Sequence, residues 1–282
     1  MRIVGAALAA MMSACAPQSE APEPPPITRA FTIADPLLIP EGIAYDEATG
    51  DFYVSSTYQR RIVRVTPDGA AHDFTPRGDG ALYGGLGMQV DAERRRLWVA
   101  HATAGAGMPI ENDASEGRSG LALYDLDSGQ LVANLAVADD APHFLNDLDL
   151  AADGSVYVTD TLSSTIYRAG PDAAALEPFA TLPGGATGNG VSFSEDERTL
   201  YVADARVGVY TIDMATRTAH PLIQLAPAVG ADGLYVHDGA LIAIEPYRDD
   251  CQVCRYTLSA DGTALTAREP ILGLHPDLLQ PT

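Results

Sequence analysis

The segment PEGIAYDEATGDFYVSS, residues 40–56, contains the pattern from which the architecture can be inferred. An acidic residue and a glycine open it, and two short runs of alternating apolar and polar residues follow, separated by a polar turn. Alternation with a period of two is typical of β-strands that bury one face. Because only a few turn residues join the two runs, the segment predicts a pair of antiparallel strands.

The same pattern returns four more times along the chain. The five repeats open at Glu41, Leu86, Asn146, Asn189 and Asp232, so that their starts are 45, 60, 43 and 43 residues apart. Each opening strand is followed by a turn, a second strand and a third strand. Four short antiparallel strands in about 40–45 residues are typical of one blade of a β-propeller. The many Gly and Pro residues between the apolar runs argue against long helices.

We therefore predict an all-β chain that forms a propeller with five clear blades and an incomplete or strand-exchanged last blade. Residues 28–35, TRAFTIAD, are expected to provide an outer strand that completes the last blade. Only eleven residues follow Ile271, too few for three more strands. The 60-residue interval places an insertion at residues 102–118, which is either a lid over one face or a surface loop.

The N-terminal residues have the composition of an export signal. Residues 1–14 contain Arg2 and then an apolar stretch, and the Ser-Ala pair before Cys15 resembles the lipobox of bacterial lipoproteins. Cys15 is then the lipidated first residue, residues 15–30 form a Pro-rich tether, and residues 31–282 form the propeller domain. This predicts an exported protein anchored by lipid in the cell envelope, at the outer membrane facing the periplasm in a Gram-negative host. An ordinary signal peptide is the alternative.

The charge of the chain excludes one class of partner. Acidic residues number 38 and basic residues 17, all of them arginine, which gives a formal net charge of −21. Such a surface repels phosphate backbones and anionic lipid headgroups, so nucleic acid is not an expected partner and any membrane contact is expected only through the lipid anchor.

The leading residues of the repeats are the candidates for chemistry. The innermost strand of each propeller blade lines the central channel, so residues in one register should face one axial space. Four of the five, Glu41, Asn146, Asn189 and Asp232, carry an oxygen donor. Asn and Asp before Gly are also common in turns, but that alternative explains neither Glu41 nor four donors in one register. Oxygen donors without His or Cys favour Ca²⁺, ahead of Mg²⁺, Mn²⁺ and Zn²⁺.

Cys251 and Cys254 form a CxxC pair near the C-terminus. One such pair provides too few ligands for a structural zinc site, and the βαβ setting of a thioredoxin-like motif is absent from the sequence. In an exported protein a local disulfide is the preferred interpretation.

Several blade openings carry a family resemblance. NDLDLAADGSVYVTD from Asn146, GNGVSFSEDERTLYVAD from Gly188, ADGLYVHDGALIAI from Ala231 and the segment from Pro40 resemble those of the regucalcin/gluconolactonase superfamily, over about residues 36–262. The resemblance implies a six-bladed propeller with one divalent ion at the channel floor and activity on lactones. Carried over by motif, the expected metal ligands are Glu41, Asn189 and Asp232, and Asn146 is a fourth ligand or contacts the substrate.

Hydrolysis of a lactone or related ester at such a site also needs a general base. Asp232 is the first candidate. His143, just before Asn146, is a second candidate, and His101, at the end of a second strand on the same face, is a candidate contact for a small-molecule lactone or ester substrate. The alternative function is a non-catalytic propeller that binds sugars, peptides or envelope proteins and holds a structural ion.

Overall fold

The computed structural model describes residues 29–78, 81–103, 118–205, 208–222, 230–246 and 250–275. These residues form twenty β-strands and a single 3-10 turn at Pro183–Gly185. Within them, no helix has the length and apolar character needed to cross a membrane. The prediction of an all-β fold is confirmed.

The strands form five antiparallel sheets of four strands each, paired in chain order, which confirms five of the predicted blades. Blade one contains β1 (Pro40–Asp46), β2 (Asp51–Ser56), β3 (Arg61–Val65) and β4 (Ala71–Asp73). Blade two contains β5 (Gly84–Asp91), β6 (Arg96–Ala102), β7 (Ser119–Asp125) and β8 (Leu131–Leu135). Blade three contains β9 (Leu145–Leu150), β10 (Val156–Asp160), β11 (Thr165–Ala169) and β12 (Glu177–Thr181). Blade four contains β13 (Gly188–Phe193), β14 (Thr199–Asp204), β15 (Gly208–Asp213) and β16 (Thr218–Pro221). Blade five contains β17 (Leu234–His237), β18 (Ala240–Ile244), β19 (Val253–Leu258) and β20 (Leu265–Leu272).

The inner strands pack in succession, β1 on β5, β5 on β9, β9 on β13 and β13 on β17. Apolar clusters fill the spaces between successive blades, such as the cluster around Trp98, Leu145 and Tyr167 between blades two and three. Burying apolar surface on both sides of a sheet is the main force that holds neighbouring blades together. The first strand of every blade is therefore the inner strand, next to the first strand of the neighbouring blade.

The N-terminal segment does not take the predicted position. β20 supplies the outer strand of blade five, and residues 29–39 form no strand. Instead, Phe31 and Ile33 pack against an apolar cluster of blade one that contains Val54, Val63 and Val65. Asp35 accepts a hydrogen bond from Arg61 at 2.6 Å. The expectation that residues 28–35 complete the last blade is therefore wrong for the described residues, because apolar packing and this ion pair hold the segment on blade one.

The described ring of blades is open between blades five and one. β17 does not pack along β1 in the way that the other successive inner strands pack. Ile43 and Tyr45 on β1 are each 48% exposed, and Tyr235 on β17 is 46% exposed. A sixth blade, which the family resemblance implies, is not found among the described residues.

A β-bulge interrupts the start of each of the first four inner strands. In blade one the register shifts between Pro40 and Ile43, so that Glu41 and Gly42 together oppose the single residue Ser55. A bulge bends the strand and re-aims the side chains of the unpaired residues. The bulged pairs of the other blades are Leu86–Gly87, Asn146–Asp147 and Asn189–Gly190, and Asp232–Gly233 directly precede β17 in blade five.

Candidate functional site

Four of the five leading residues line one small cavity where the inner strands converge. The cavity has a volume of about 30 Å³, which is sufficient for a small ion or a water molecule. Its polar lining comes from Glu41, Asn146, Asp147, Asn189, Asp232 and Tyr235. The structure thus brings together the four oxygen-bearing residues that the repeat register predicted. Leu86, the fifth leading residue, is 1% exposed and belongs to the apolar core between blades two and three.

Asn189 and Asp232 are joined directly across blades four and five. The Asn189 Nδ2 atom donates a hydrogen bond to Asp232 Oδ1 at 2.6 Å, and the backbone N–H of Gly190 donates to the Asp232 carbonyl at 2.9 Å. Burial raises the pKa of Asp232 to about 6, although the hydrogen bond from Asn189 acts in the opposite direction. This carboxyl group therefore titrates near neutral pH in the absence of a bound cation.

Glu41 lies in a strongly negative environment. Burial is the largest cause that raises the pKa of Glu41 well above its usual range, and repulsion by the Asp232 and Asp147 carboxylates adds to it. Three acidic groups from three different blades therefore disfavour each other's ionised forms. A divalent cation in the cavity would remove this repulsion, because it favours ionised carboxylates on every side.

Asp147 is a cavity residue that the sequence analysis missed. It occupies the position directly after the leading residue, where the other four repeats have glycine. Its Oδ2 atom accepts a hydrogen bond from the Val191 N–H at 3.2 Å, and burial raises its pKa to about 7, with smaller contributions from the charges of Asp149 and Asp232. The signal was present in the sequence, since Asn146-Asp147 departs from the residue-Gly pattern of the other openings.

A fourth carboxyl group lies close enough to raise the pKa of Asp147, and a phenol lines the cavity. Asp149 lies one pleat further along β9, where it accepts hydrogen bonds from the Phe193 N–H at 2.8 Å and from Gln89 Nε2 at 3.1 Å. Tyr235 lines the cavity from β17; although the residue as a whole is 46% exposed, desolvation of its hydroxyl together with the charges of Asp147, Asp149 and Glu41 raises its pKa. The Tyr235 hydroxyl is therefore protonated at neutral pH and can donate a hydrogen bond.

The two candidate histidines do not line the cavity. Both ring nitrogens of His143 are held by carboxylates, Nδ1 at 2.5 Å from Asp160 and Nε2 at 2.9 Å from Asp139. His101 is 1% exposed, and its Nε2 atom lies 2.9 Å from Oδ1 of Asn134. Both rings are buried and already hydrogen-bonded outside the cavity. The geometry therefore gives no support to the predicted catalytic role of His143 or the predicted substrate-binding role of His101, and both stay predictions.

The remaining predicted features lie away from the cavity or outside the described residues. Cys251 and Cys254 are joined in a disulfide, and both are buried in blade five. Cys15, the signal segment and most of the insertion, residues 104–117, lie outside the described residues.

The donor set fits a hard divalent cation. In the parts of the chain that the structure describes, no group of three or more His, Cys, Asp and Glu side chains is arranged to hold a metal ion. The candidate donors are instead two carboxylates, Glu41 and Asp232, and two amide oxygens, Asn146 and Asn189. Such mixed oxygen sets are preferred by Ca²⁺, and a cation would neutralise the repulsion at Glu41.

The family of the chain follows from its sequence. Residues 39–257 match the model of the SMP-30/gluconolactonase/LRE-like region, and the chain belongs to this family. The matched range contains the leading residues of all five blades. A search of curated protein sequences finds no match to this chain.

Solved structures show that the fold is shared more widely. A gluconolactonase from Xanthomonas campestris is 23% identical, with a TM-score of 0.59 over 83% of this chain and 76% of that chain. A virginiamycin B lyase from Staphylococcus aureus is 16% identical, with a TM-score of 0.60 over 82% and 70% of the two chains. A chain of a nidogen/laminin complex is 15% identical, with a TM-score of 0.64 over 87% and 83%. Enzymes and a protein of a binding complex therefore share this fold.

Proposed function

We propose that this protein is a divalent-metal-dependent hydrolase of lactones or related esters, with its reaction centre at the cavity between the inner strands. The observation that carries the proposal is the convergence of Glu41, Asn146, Asn189 and Asp232 from four different blades on that cavity. Family membership and the similarity to a gluconolactonase support the reaction class.

The expected cation is Ca²⁺, with Mg²⁺, Mn²⁺ and Zn²⁺ as the alternatives. Glu41 and Asp232 would supply charge, and Asn146 and Asn189 would supply neutral oxygen donors. Bound there, a divalent cation supplies Lewis-acid polarisation of the ester carbonyl and stabilises the negative charge that develops on its oxygen.

Asp232 is proposed as the group that moves the proton. The hydrogen bond from Asn189 holds Asp232 Oδ1 and so fixes the carboxylate, which leaves Oδ2 to accept a proton from an attacking water. The water oxygen forms a bond to the acyl carbon, the ring C–O bond breaks, and the proton passes from Asp232 to the leaving alkoxide. Tyr235, a protonated phenol at the cavity, is placed to donate a hydrogen bond to the substrate.

A panel of lactones and simple esters, assayed with the full-length protein in Ca²⁺ and in chelator, tests the proposal. The expected result is hydrolysis that is lost in chelator and restored by added cation. Hydrolysis that is unaffected by chelator would overturn the metal dependence. Binding of Ca²⁺ without hydrolysis of any member of the panel would instead favour the non-catalytic propeller with a structural ion.

A further inference from the structure

His143 takes part in a hydrogen-bond network that the proposed hydrolysis does not use. Its Nδ1 atom lies 2.5 Å from Asp160 Oδ2, and its Nε2 atom lies 2.9 Å from Asp139 Oδ1. Ionised carboxylates only accept hydrogen bonds, so a ring held between two of them is best satisfied as an imidazolium, which donates from both nitrogens. Burial acts to lower the pKa of His143, but the hydrogen bonds to Asp160 and Asp139 outweigh it and the pKa is raised. The bond to His143 likewise lowers the pKa of Asp139.

In the part of the chain that the structure describes, the remaining neighbour of the ring is an aromatic side chain. The aromatic ring of Tyr167 on β11 lies edge-on to the His143 ring, at 6.0 Å between centroids. Burial raises the pKa of Tyr167, so this phenol is neutral across the physiological range. Among the described residues, the charge balance at His143 is therefore set by Asp139 and Asp160.

Asp160 extends the network into the turn that follows β10. This carboxylate is fully buried. Its Oδ1 atom accepts hydrogen bonds from the Phe144 N–H at 2.9 Å and the Leu162 N–H at 3.1 Å. Its Oδ2 atom, besides contacting His143, accepts the Ser163 hydroxyl at 2.6 Å. The segment before β9 and the turn after β10 are thus tied to one carboxylate.

The same turn orients a cavity residue. Asn146 Nδ2 donates a hydrogen bond to Thr161 Oγ1 at 3.0 Å, and Thr161 Oγ1 donates to the Gly188 carbonyl at 2.7 Å. Thr161 engages the amide nitrogen of Asn146. The side-chain carbonyl oxygen of Asn146 is therefore the atom that can ligate a cation in the cavity.

We propose that His143 is a positioning residue that, as an imidazolium between Asp139 and Asp160, fixes the turn at residues 161–164 and thereby aims the carbonyl oxygen of Asn146 at the cavity. This role rests on the proposed function, since it concerns the oxygen that Asn146 offers to a cation. It replaces the expectation that His143 is a general base, because a ring with a proton held on both nitrogens has no site to accept another.

Two variants and one control test this role in the full-length protein. Calorimetric titration with Ca²⁺ should show His143→Gln binding about 10–100-fold more weakly, which is the usual effect of removing a group that orients a metal ligand. Asp139→Asn should act in the same direction but less strongly, since the Asp139 side chain is 52% exposed. His237→Gln alters a histidine whose side chain is 71% exposed and should leave the affinity unchanged.

The pH profile separates positioning from general stabilisation. As His143 loses its proton, Ca²⁺ affinity of the wild-type protein should fall, and this alkaline decrease should be absent from His143→Gln. Nitrogen-15 NMR should show both His143 ring nitrogens protonated above the pH at which free histidine is half-titrated.

Each outcome decides a different point. Equal Ca²⁺ affinity and equal pH profiles for wild type and His143→Gln would overturn the positioning role and leave the proposed hydrolase standing. A neutral His143 ring near neutral pH would overturn the role on its own. Absence of cation binding by the wild type would overturn both proposals. If His143→Gln does not fold, Asp139→Asn carries the same comparison, because its site lies on an exposed loop.

Discussion

The Asn189 amide nitrogen lies 2.6 Å from the Asp232 carboxylate, although the two residues are 43 positions apart and belong to different blades. Each is the leading residue of its repeat, and the contact is direct because consecutive inner strands pack at the points where these residues occur. A donor from one blade thus orients an acceptor on the next, so the chemistry of Asp232 depends on the packing of blades four and five.

Replacing Asp232 by Asn tests whether the Asp232 carboxylate accepts a proton during hydrolysis. The variant keeps an oxygen that can accept the Asn189 hydrogen bond but loses the group that takes up a proton. We expect esterase or lactonase activity to fall by about 10²–10⁴-fold, with little change in melting temperature. Asp172→Asn, at a side chain that is 84% exposed, is the matched control and should retain full activity. An Asp232→Asn protein as active as wild type would rule out this carboxylate as the base.

The raised carboxyl pKa values predict an unusual dependence of stability on pH. Asp147 and Asp232 keep their protons in the folded state up to about 7 and about 6, whereas carboxyls of an unfolded chain release them near their ordinary value of about 4. Between these limits the folded state binds more protons, so the free energy of unfolding decreases as pH rises. His143, with a raised pKa, contributes in the same direction.

Thermal unfolding in chelator should therefore show a lower melting temperature at about pH 8 than at about pH 5. Added Ca²⁺ should raise the melting temperature at the higher pH and have little effect at the lower, because it binds the ionised carboxylates. A melting temperature that is flat or rising across this range in chelator would contradict the assigned shifts.

Most of the site could be predicted from the register of the sequence repeats, because the blades place their leading residues at equivalent positions of the inner edge. Once Glu41 and Asp232 are known to share a register, the fold itself brings them to one cavity. Asp147 was not predicted, because only the leading residue of each repeat was considered. Asp147 follows the leading residue of its repeat, where the other four repeats have glycine. The setting of His143 could not be foreseen, since Asp160 reaches it only after β9 and β10 pair. The position of residues 28–35 likewise depends on long-range contacts with blade one.

Glu41 and Leu86 form a natural comparison, because both lead a repeat and only one carries a donor. Glu41→Gln keeps an oxygen but removes a charge, so Ca²⁺ affinity and the stabilisation by added Ca²⁺ should both decrease. Leu86→Ala creates a cavity at a side chain that is 1% exposed and should cost about 2–5 kcal/mol of stability, with Ca²⁺ affinity nearly intact. Parallel calorimetry and thermal unfolding measure both effects. Equal losses of Ca²⁺ affinity in the two variants would show that the site responds only to general destabilisation.

Cys15 lies outside the described residues, and its proposed lipidation is testable in cells. Wild-type protein expressed in a Gram-negative host should partition with the membrane fraction, and Cys15→Ser should move it to the soluble fraction. Cys251→Ser should leave the partition unchanged, because that residue is bonded to Cys254 in blade five. Wild-type protein recovered wholly in the soluble periplasmic fraction would contradict the anchor.

Gly190 links the blade packing to the site, because a side chain at this position would collide with the backbone where β17 begins. A Cβ atom at Gly190 would lie 2.4 Å from the Asp232 carbonyl oxygen and 2.5 Å from the Leu234 nitrogen, both of them backbone atoms. Gly190→Ala must therefore push β13 and β17 apart, at a cost of about 1–3 kcal/mol, and it should also lengthen the Asn189–Asp232 contact and weaken Ca²⁺ binding. Gly170→Ala is the control, since a Cβ atom there meets no other group within 4 Å. If Gly190→Ala loses stability but binds Ca²⁺ as tightly as Gly170→Ala, the spacing of these two strands does not set the geometry of the cavity.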